Sequence, residues 1–138
     1  MMKSLKLMAA LLVVGGGSLF ASAHADEKMA PIPGIGRTEV QRHDFRDAQH
    51  EAVQVRVDFA PGTGFPKHSH PGVEIAYVLE GTVEYQLADA APVTLKAGDS
   101  LYIPEGTPHS AKNVGDANAS ELATYLLEKG KPVVVMSK

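Results

Sequence analysis

The sequence predicts a single all-β domain, built as a sandwich or a barrel of short strands. The clearest strand signal is residues 53–59, where Val53, Val55, Val57 and Phe59 alternate with polar residues at a period of two. Glycine and proline then recur at intervals of roughly 8–12 residues, which is the spacing of turns between short strands. The 138 residues suit one domain, and no stretch has the pattern of a long amphipathic helix.

The first 25 residues have the organisation of a secretory signal peptide. A basic start at Lys3 and Lys6 is followed by the apolar run 7–14, and a small-residue pattern ends at Ala25. Three consecutive glycines interrupt the apolar stretch, which argues against a membrane anchor. We therefore expect a Sec signal peptide at residues 1–25, cleaved after Ala25 or, as a variant, after Ala23, and a periplasmic or secreted protein.

Composition excludes several classes of function. Cleavage would leave 138 − 25 = 113 residues and, by removing Lys3 and Lys6 but no acidic residue, would change the formal charge from −3 to −5. A mildly acidic domain without a basic cluster predicts no nucleic-acid partner, and no membrane association is expected after cleavage. The absence of cysteine excludes disulfides, thiolate metal sites and a cysteine nucleophile. A small exported domain without disulfides needs a good core or a partner subunit, which favours a homodimer.

The segment 26–52 is predicted to be an N-terminal arm that could supply an edge strand. Two prolines and two glycines between residues 31 and 36 oppose both helix and sheet. That part is expected to be extended, and flexible unless a partner strand captures it. His43 and His50 lie in a charged stretch and are expected to be solvated.

Turn signals divide the predicted barrel, residues 53–128, into short strands. Residues 129–138 are predicted to form a C-terminal tail or a last strand. The predicted strands are 53–59, 67–79 with a break at Pro71-Gly72, 82–87, 93–96, 100–103, 109–113 and 122–128, with 133–136 as the candidate last strand.

The stretch 68–74, HSHPGVE, has the residue types of a metal site. His68 and His70 project from one face of a strand, because residues two apart point the same way. Glu74 has the same parity and joins them unless Pro71-Gly72 introduces a bulge. The candidate fourth ligand is His109, which follows a proline- and glycine-rich turn at a strand start. Three imidazoles and a carboxylate favour one divalent first-row metal, namely iron, manganese, nickel, copper or zinc, and leave room for water or substrate.

Two spaced motifs make the chain resemble the cupin superfamily, in its small single-domain, type-2 form. The resemblance covers residues 53 to about 128. The motifs are Gly62-x5-His68-x-His70-x3-Glu74-x6-Gly81 and Gly98-x5-Pro104-x-Gly106-x2-His109-x3-Asn113, in which every fixed position of the family pattern is present.

This resemblance implies a jelly-roll (double-stranded β-helix) barrel of six to eight strands with a metal inside one mouth. It implies that His68, His70, Glu74 and His109 bind that metal. The motif glycines are expected at turns, with a positive φ or a close approach, and Asn113 is expected to be a hydrogen-bonding or turn residue.

Two further sets of residues carry open alternatives. Gln54 and Arg56 occupy the polar face of strand 53–59, which either lines the barrel or faces solvent; an inward Arg56 would select an anionic substrate. The tyrosines are expected to be core or strand-pair residues, one of which could donate a proton near the metal. They are Tyr77, Tyr85, Tyr102 and Tyr125.

The function predicted first is that of a metal-dependent enzyme acting on a small molecule, most simply a dioxygenase or another oxidoreductase. The same ligands also support decarboxylase, isomerase and lyase chemistry in cupins. The alternative is a non-catalytic periplasmic cupin that binds a small molecule or a metal, and a pure scaffold is favoured least. An inward acid or base beside an open metal position would favour catalysis. If the protein is exported before it binds its metal, metal loading outside the cytoplasm would favour copper, nickel or zinc over manganese and iron(II).

Overall fold

The computed structural model describes residues 29–138, so the predicted signal peptide lies outside the described residues. This part of the chain folds into strands joined by turns and contains no helix. It likewise lacks any helical segment with the length and hydropathy that a transmembrane helix requires. The strands are β1 (Ile35–Asp44), β2 (His50–Phe59), β3 (Gly64–Ser69), β4 (Gly72–Glu80), β5 (Thr82–Leu87), β6 (Val93–Lys96), β7 (Ser100–Ile103), β8 (His109–Asn113), β9 (Ala119–Glu128) and β10 (Val135–Met136).

The strands of residues 29–138 form two five-stranded sheets, which we call sheets A and B. Sheet A has the order β1-β2-β9-β4-β7 and sheet B the order β10-β3-β8-β5-β6. Every pairing is antiparallel. Most spatial neighbours are distant in sequence, because the chain passes repeatedly from one sheet to the other, as in a jelly roll. The predicted all-β jelly-roll fold is confirmed.

The core lies between the sheets and is supplied by alternate residues of the central strands. Val53, Val55, Val57 and Phe59 of β2 are all at most 4% exposed. Full burial of side chains of this size contributes roughly 1.5–3 kcal/mol each. Intervening residues face outward, as the period of two predicts.

Arg56 belongs to that outward set, so the alternative of an inward Arg56 is wrong. Its guanidinium lies 2.8 Å from the carboxylate of Asp58 and 3.5 Å from that of Glu80, and all three side chains are exposed. Arg56 therefore cannot select a substrate inside the barrel.

Two terminal segments complete the mouth of the barrel. β1 forms the edge of sheet A and pairs with β2, with a bulge between Glu39 and Gln41. β10 pairs with β3, placing Met136 opposite His68. The break predicted at Pro71-Gly72 within residues 67–79 is confirmed, since β3 ends at Ser69, β4 begins at Gly72, and the two strands lie in different sheets. The segments that precede β1 and β10 line one groove, and the carbonyl of Val133 in the second segment reaches Nδ1 of His70.

Candidate metal centre

The four predicted ligands come together inside the barrel, and they come from both sheets. His68 of β3 lies directly opposite His109 of β8 in sheet B. His70 follows β3, and Glu74 lies in β4 of sheet A. The expectation that three ligands share the face of one strand is wrong, because the chain crosses between the sheets at Pro71. All four side chains are nevertheless buried in the same interior.

Two glycines allow this crossing. A Cβ on Gly72 would collide with the backbone carbonyl of Leu126 in β9, so β4 can approach β9 only with glycine there. Gly106 adopts φ +70° and donates its N–H to the carbonyl of His70 at 2.9 Å. The turn before His109 thereby holds the backbone of His70, which ties the two motifs together.

The side chains converge on a volume the size of one ion. The ring centroids of His68 and His109 are 4.2 Å apart, and those of His68 and His70 are 4.8 Å apart. One ligand atom from each of the four residues lies within 4.8 Å of all the others. Such a set of nitrogen and oxygen atoms matches the donors preferred by divalent first-row metals.

Backbone carbonyls orient all three imidazoles. The Nδ1 atoms of His68 and His109 lie 2.8 Å and 2.9 Å from the carbonyls of Pro66 and Thr107, two residues earlier in each case. Nδ1 of His70 lies 2.5 Å from the carbonyl of Val133. A carbonyl only accepts, so each Nδ1 carries the proton and donates it. When these imidazoles are neutral, each Nε2 is left with a lone pair for a metal, the arrangement found around metal-bound histidines.

Unpartnered atoms at the centre indicate that the residues fit a metal ion. Oε2 of Glu74 lies 2.9 Å from Nε2 of His70 and 3.0 Å from Nε2 of His109. Nevertheless, Nε2 of His70 and Oε2 of Glu74 have no hydrogen-bond partner among the described residues, although both are buried. Buried polar groups are rarely left unpaired without a functional reason, and a cation between these atoms would satisfy them.

The charges of the metal-free site follow from burial and from the closeness of its groups. Burial opposes ionisation of Glu74, but His109 and His70 outweigh it and lower the pKa of that carboxyl to about 2. Burial, together with the neighbouring charge on His109, lowers the pKa of His68 to about 3. Burial also acts against the protonated form of His109, yet the adjacent Glu74 carboxylate raises its pKa overall. Without metal, the site therefore holds an anionic carboxylate beside a histidine that readily takes a proton.

A second polar group faces the same interior from β9. Glu121 is 5% exposed, and the Tyr85 hydroxyl donates a hydrogen bond to its carboxylate. Burial and the negative charge of Glu74 raise the pKa of Glu121 to about 8. Burial also raises the pKa of Tyr85. The cavity thus contains one carboxyl that is ionised and one that holds its proton near neutral pH.

The centre opens towards the surface past Arg37. An inner cavity of about 10 Å³, enough for roughly one water molecule, lies at the centre. The residues that line it include His68, His109, Glu74, Glu121, Tyr125, Arg37 and Val134. An outer groove of about 660 Å³ shares Arg37 and Val134 with that cavity. Its other walls come from the segments that flank the barrel, among them Ile32, Ile35 and Val133.

The remaining predicted residues have supporting positions. The side chain of Asn113 is buried; it donates to the carbonyls of Phe59 and Ala117 and accepts from the N–H of Gly115, so its expected structural role is confirmed. Tyr125 is buried with its ring 4.6 Å from that of His70. Of the other tyrosines, Tyr85 is buried, whereas Tyr77 and Tyr102 are exposed, as are His43 and His50.

Three contributors to the site were missed in the sequence. Glu121 has the parity of the buried residues 123, 125 and 127, so an acidic residue in an inward position was a usable signal. Arg37 can be recognised as part of the site only once β1 is known to pair with β2. The Val133 carbonyl could not be found from residue types, because every residue has a carbonyl.

Comparisons with known proteins agree with this architecture. The sequence profile of the cupin domain matches residues 55–125, about half of the chain. Germin-like protein subfamily 2 member 1 of Arabidopsis thaliana is 40% identical over 75 residues, covering 51% of this chain and 34% of that protein. The oxalate-binding protein of Thermotoga maritima is 30% identical over 97 residues, covering 68% of this chain and 79% of that protein. The chain spans half or less of the length of the germin-like relatives.

Solved structures show the same fold. Recombinant oxalate oxidase in complex with glycolate superposes with a TM-score of 0.62 at 24% identity, over 78% of this chain and 57% of that one. A conserved protein with a double-stranded β-helix domain from Klebsiella pneumoniae superposes with a TM-score of 0.63 at 24% identity, over 81% and 94%. At this identity the likeness concerns the fold alone. The profile match and the fold together establish that the chain belongs to the cupin family.

Proposed function

We propose that this chain is a mononuclear metal-binding cupin that acts as a metal-dependent, oxidoreductase-like enzyme on a small molecule. The observation that carries the proposal is the convergence of His68, His70, Glu74 and His109, with one ligand atom from each within 4.8 Å of the others. A bound divalent metal would polarise a substrate oxygen or, if redox-active, activate dioxygen.

The chain's own groups would divide the remaining work. The three imidazoles present Nε2 lone pairs, and Glu74 supplies the negative charge that offsets part of a metal's charge. Glu121, whose carboxyl accepts the Tyr85 hydrogen bond, holds a proton inside the same cavity because burial and the negative charge of Glu74 raise its pKa. A buried acid beside a metal position supports catalysis over simple capture, because proton transfer needs a group within the water-poor site.

The second candidate is a non-catalytic cupin that binds a small molecule. It is supported by the name of the Thermotoga maritima relative, an oxalate-binding protein. Both candidate functions involve the metal, but only the enzyme turns over a substrate. Binding and turnover measured on the same protein preparation can therefore distinguish them. Binding of a small molecule without consumption of dioxygen or appearance of product would favour this second candidate.

The decisive measurement is metal content by mass spectrometry on the purified mature protein. We expect a near-stoichiometric divalent metal in the wild type and its loss in His68→Ala. His50→Ala is the matched control, since His50 is exposed and pairs with Asp47 outside the site, and should keep the metal. A wild type that contains no metal and takes none up would overturn the proposal.

Export is part of this proposal and constrains the metal. Loading outside the cytoplasm favours copper, nickel or zinc. N-terminal sequencing of periplasmic protein should find Asp26 as the first residue, or His24 if cleavage follows Ala23. Protein found only in the cytoplasm, with Met1 retained, would contradict export. Dominant manganese or iron in periplasmic protein would contradict the metal preference.

A homodimer is also proposed, supported by an exposed apolar surface on the outer side of sheet A. Ile75, Tyr77 and Leu79 of β4 are 38–44% exposed, and Tyr102 of β7, opposite Ile75, is 59% exposed. Contiguous apolar surface of this kind is typical of protein contacts. Light scattering should give a dimer for the wild type and a monomer for Tyr102→Asp; a monomeric wild type would overturn the assignment.

A further inference from the structure

The inner face of β1 brings one cationic side chain to the rim of the metal cavity. Arg37 lies directly opposite Val57 in the β1–β2 register, and directly opposite residues in an antiparallel pair point to the same side. Since Val57 is 3% exposed and faces the core, Arg37 also points inward, from the open edge of the sheet. Its side chain still remains exposed to solvent at that rim.

The contacts of Arg37 place it beside the ligands. Its guanidinium carbon lies 5.8 Å from the centroid of the Phe65 ring. That ring is 4.5 Å from the ring of His68. Arg37 lines the inner cavity together with Tyr125, whose ring packs against that of His70. The guanidinium therefore lies over one aromatic ring that packs against a predicted metal ligand, in a cavity lined by a second such ring.

The charge of the cavity favours an anion. Among the described residues that line it, Arg37 is the single lysine or arginine, and the carboxyl groups are Glu74 and Glu121. With a divalent metal bound, the cation charges of the metal and of Arg37 exceed the negative charge of the two carboxyls, whether Glu121 is protonated or ionised. A ligand that enters this low-dielectric volume is stabilised if it brings compensating negative charge.

Access limits the size of the ligand. The inner cavity holds about 10 Å³, whereas the adjoining outer groove holds about 660 Å³. Arg37 and Val134 line both spaces, so a ligand passes these two side chains on its way to the metal. A molecule of a few heavy atoms can be accommodated by displacing the Arg37 side chain, and a larger one would have to remain in the groove.

We propose that Arg37 is the anion-binding residue of this site and that the small molecule is a compact carboxylate held between the metal and the guanidinium. This rests on the proposed metal-dependent function. Guanidinium and carboxylate match in geometry and form paired, charge-assisted hydrogen bonds. The carboxylate pairs with Arg37 and offsets the excess positive charge.

The test is binding of small probes to the metal-loaded mature protein by isothermal titration calorimetry. The probes are oxalate, glycolate and glycolamide, the last being the neutral amide of glycolate. The variants are Arg37→Gln, which removes the charge, and Arg37→Lys, which keeps the charge but loses the planar fork. Arg56→Gln is the matched control, because Arg56 lies on the neighbouring strand and faces solvent. Metal content is measured in every preparation.

We expect Arg37→Gln to weaken oxalate and glycolate binding by about tenfold or more and to leave glycolamide binding within about twofold. Arg37→Lys should recover part of the anion affinity, and Arg56→Gln should equal the wild type. All variants should keep their metal, since Arg37 is not a ligand.

Three results would overturn the inference, and they are distinguishable. Equal oxalate affinity in the wild type and Arg37→Gln would show that the guanidinium does not bind the anion. Equal weakening of oxalate and glycolamide would assign Arg37 a purely structural role. A wild type that holds metal but binds neither anion would refute the carboxylate class while leaving the metal site standing, whereas a wild type unable to hold metal would refute the proposed function itself.

Discussion

Replacement of Glu74 by glutamine should destabilise the metal-free protein, because it removes the single ionised carboxylate among the four candidate ligands while preserving shape. The pKa of Glu74 falls from 4.5 to about 2 in the folded protein, since His109 and His70 outweigh the effect of burial. A shift of this size corresponds to about 3 kcal/mol of folding free energy where the carboxylate is ionised. The raised pKa of His109 reports the same interaction from the other partner, so the two contributions are not added.

The sign of each shift defines the pH window. Glu74 has a depressed pKa, so its contribution is present above pH 4.5 and is lost as the pH falls towards 2. His109 has a raised pKa, so its contribution is present below pH 6.5 and is lost as the pH rises through its folded pKa. The difference in unfolding free energy between the wild type and Glu74→Gln should therefore be largest between pH 4.5 and pH 6.5. It should shrink at lower and at higher pH.

Urea denaturation of chelator-treated protein measures this difference. The chain has no tryptophan, so unfolding is followed by circular dichroism at several pH values. Glu80→Gln is the matched control: Glu80 lies in the same strand, but its side chain is 56% exposed and pairs only loosely with Arg56 at 3.5 Å, so it should change stability by about 0.5 kcal/mol or less. Equal unfolding free energies for the wild type and Glu74→Gln at about pH 5.5 would refute the reasoning.

Three further predictions concern the surroundings of the site. Truncation after Lys131 removes the carbonyl that orients His70 and should lower metal affinity by about 10- to 100-fold with little change in the circular dichroism spectrum; unchanged affinity in a competition titration would contradict it. The pKa of Glu121 is raised from 4.5 to about 8, so wild-type apo stability should fall by several kcal/mol as the pH rises between these values. Glu121→Gln should flatten that dependence, and parallel curves of urea midpoint against pH would argue against it. Gly72→Ala would press a methyl group into the Leu126 carbonyl and should lower the melting temperature, by several degrees or more; an unchanged melting temperature would show that β4 can shift away.

The sequence alone was sufficient to identify the candidate ligand set and most strands. His68, His70, Glu74 and His109 were identifiable because two motifs with fixed spacing carry them, and spacing along the chain is a local property. The strand around Val53 was identifiable for the same reason, since side chains alternate between two faces whatever the strand pairs with. Its outward residues, including Arg56, could not be assigned to solvent or barrel until the partner sheet was known.

The tertiary structure decided which groups surround those candidate ligands. Residues 68 and 74 belong to different sheets, because the chain crosses at Pro71 instead of continuing one strand. Arg37 reaches the cavity through the pairing of β1 with β2, and the carbonyl of Val133 reaches His70 across 63 residues of sequence. Pairing between strands is non-local: it depends on how two sheets close around a shared core, and the alternation within a strand specifies two faces without specifying a neighbour. The sequence by itself therefore determined what can bind a metal, and only the closed barrel determined which charges a bound molecule would meet.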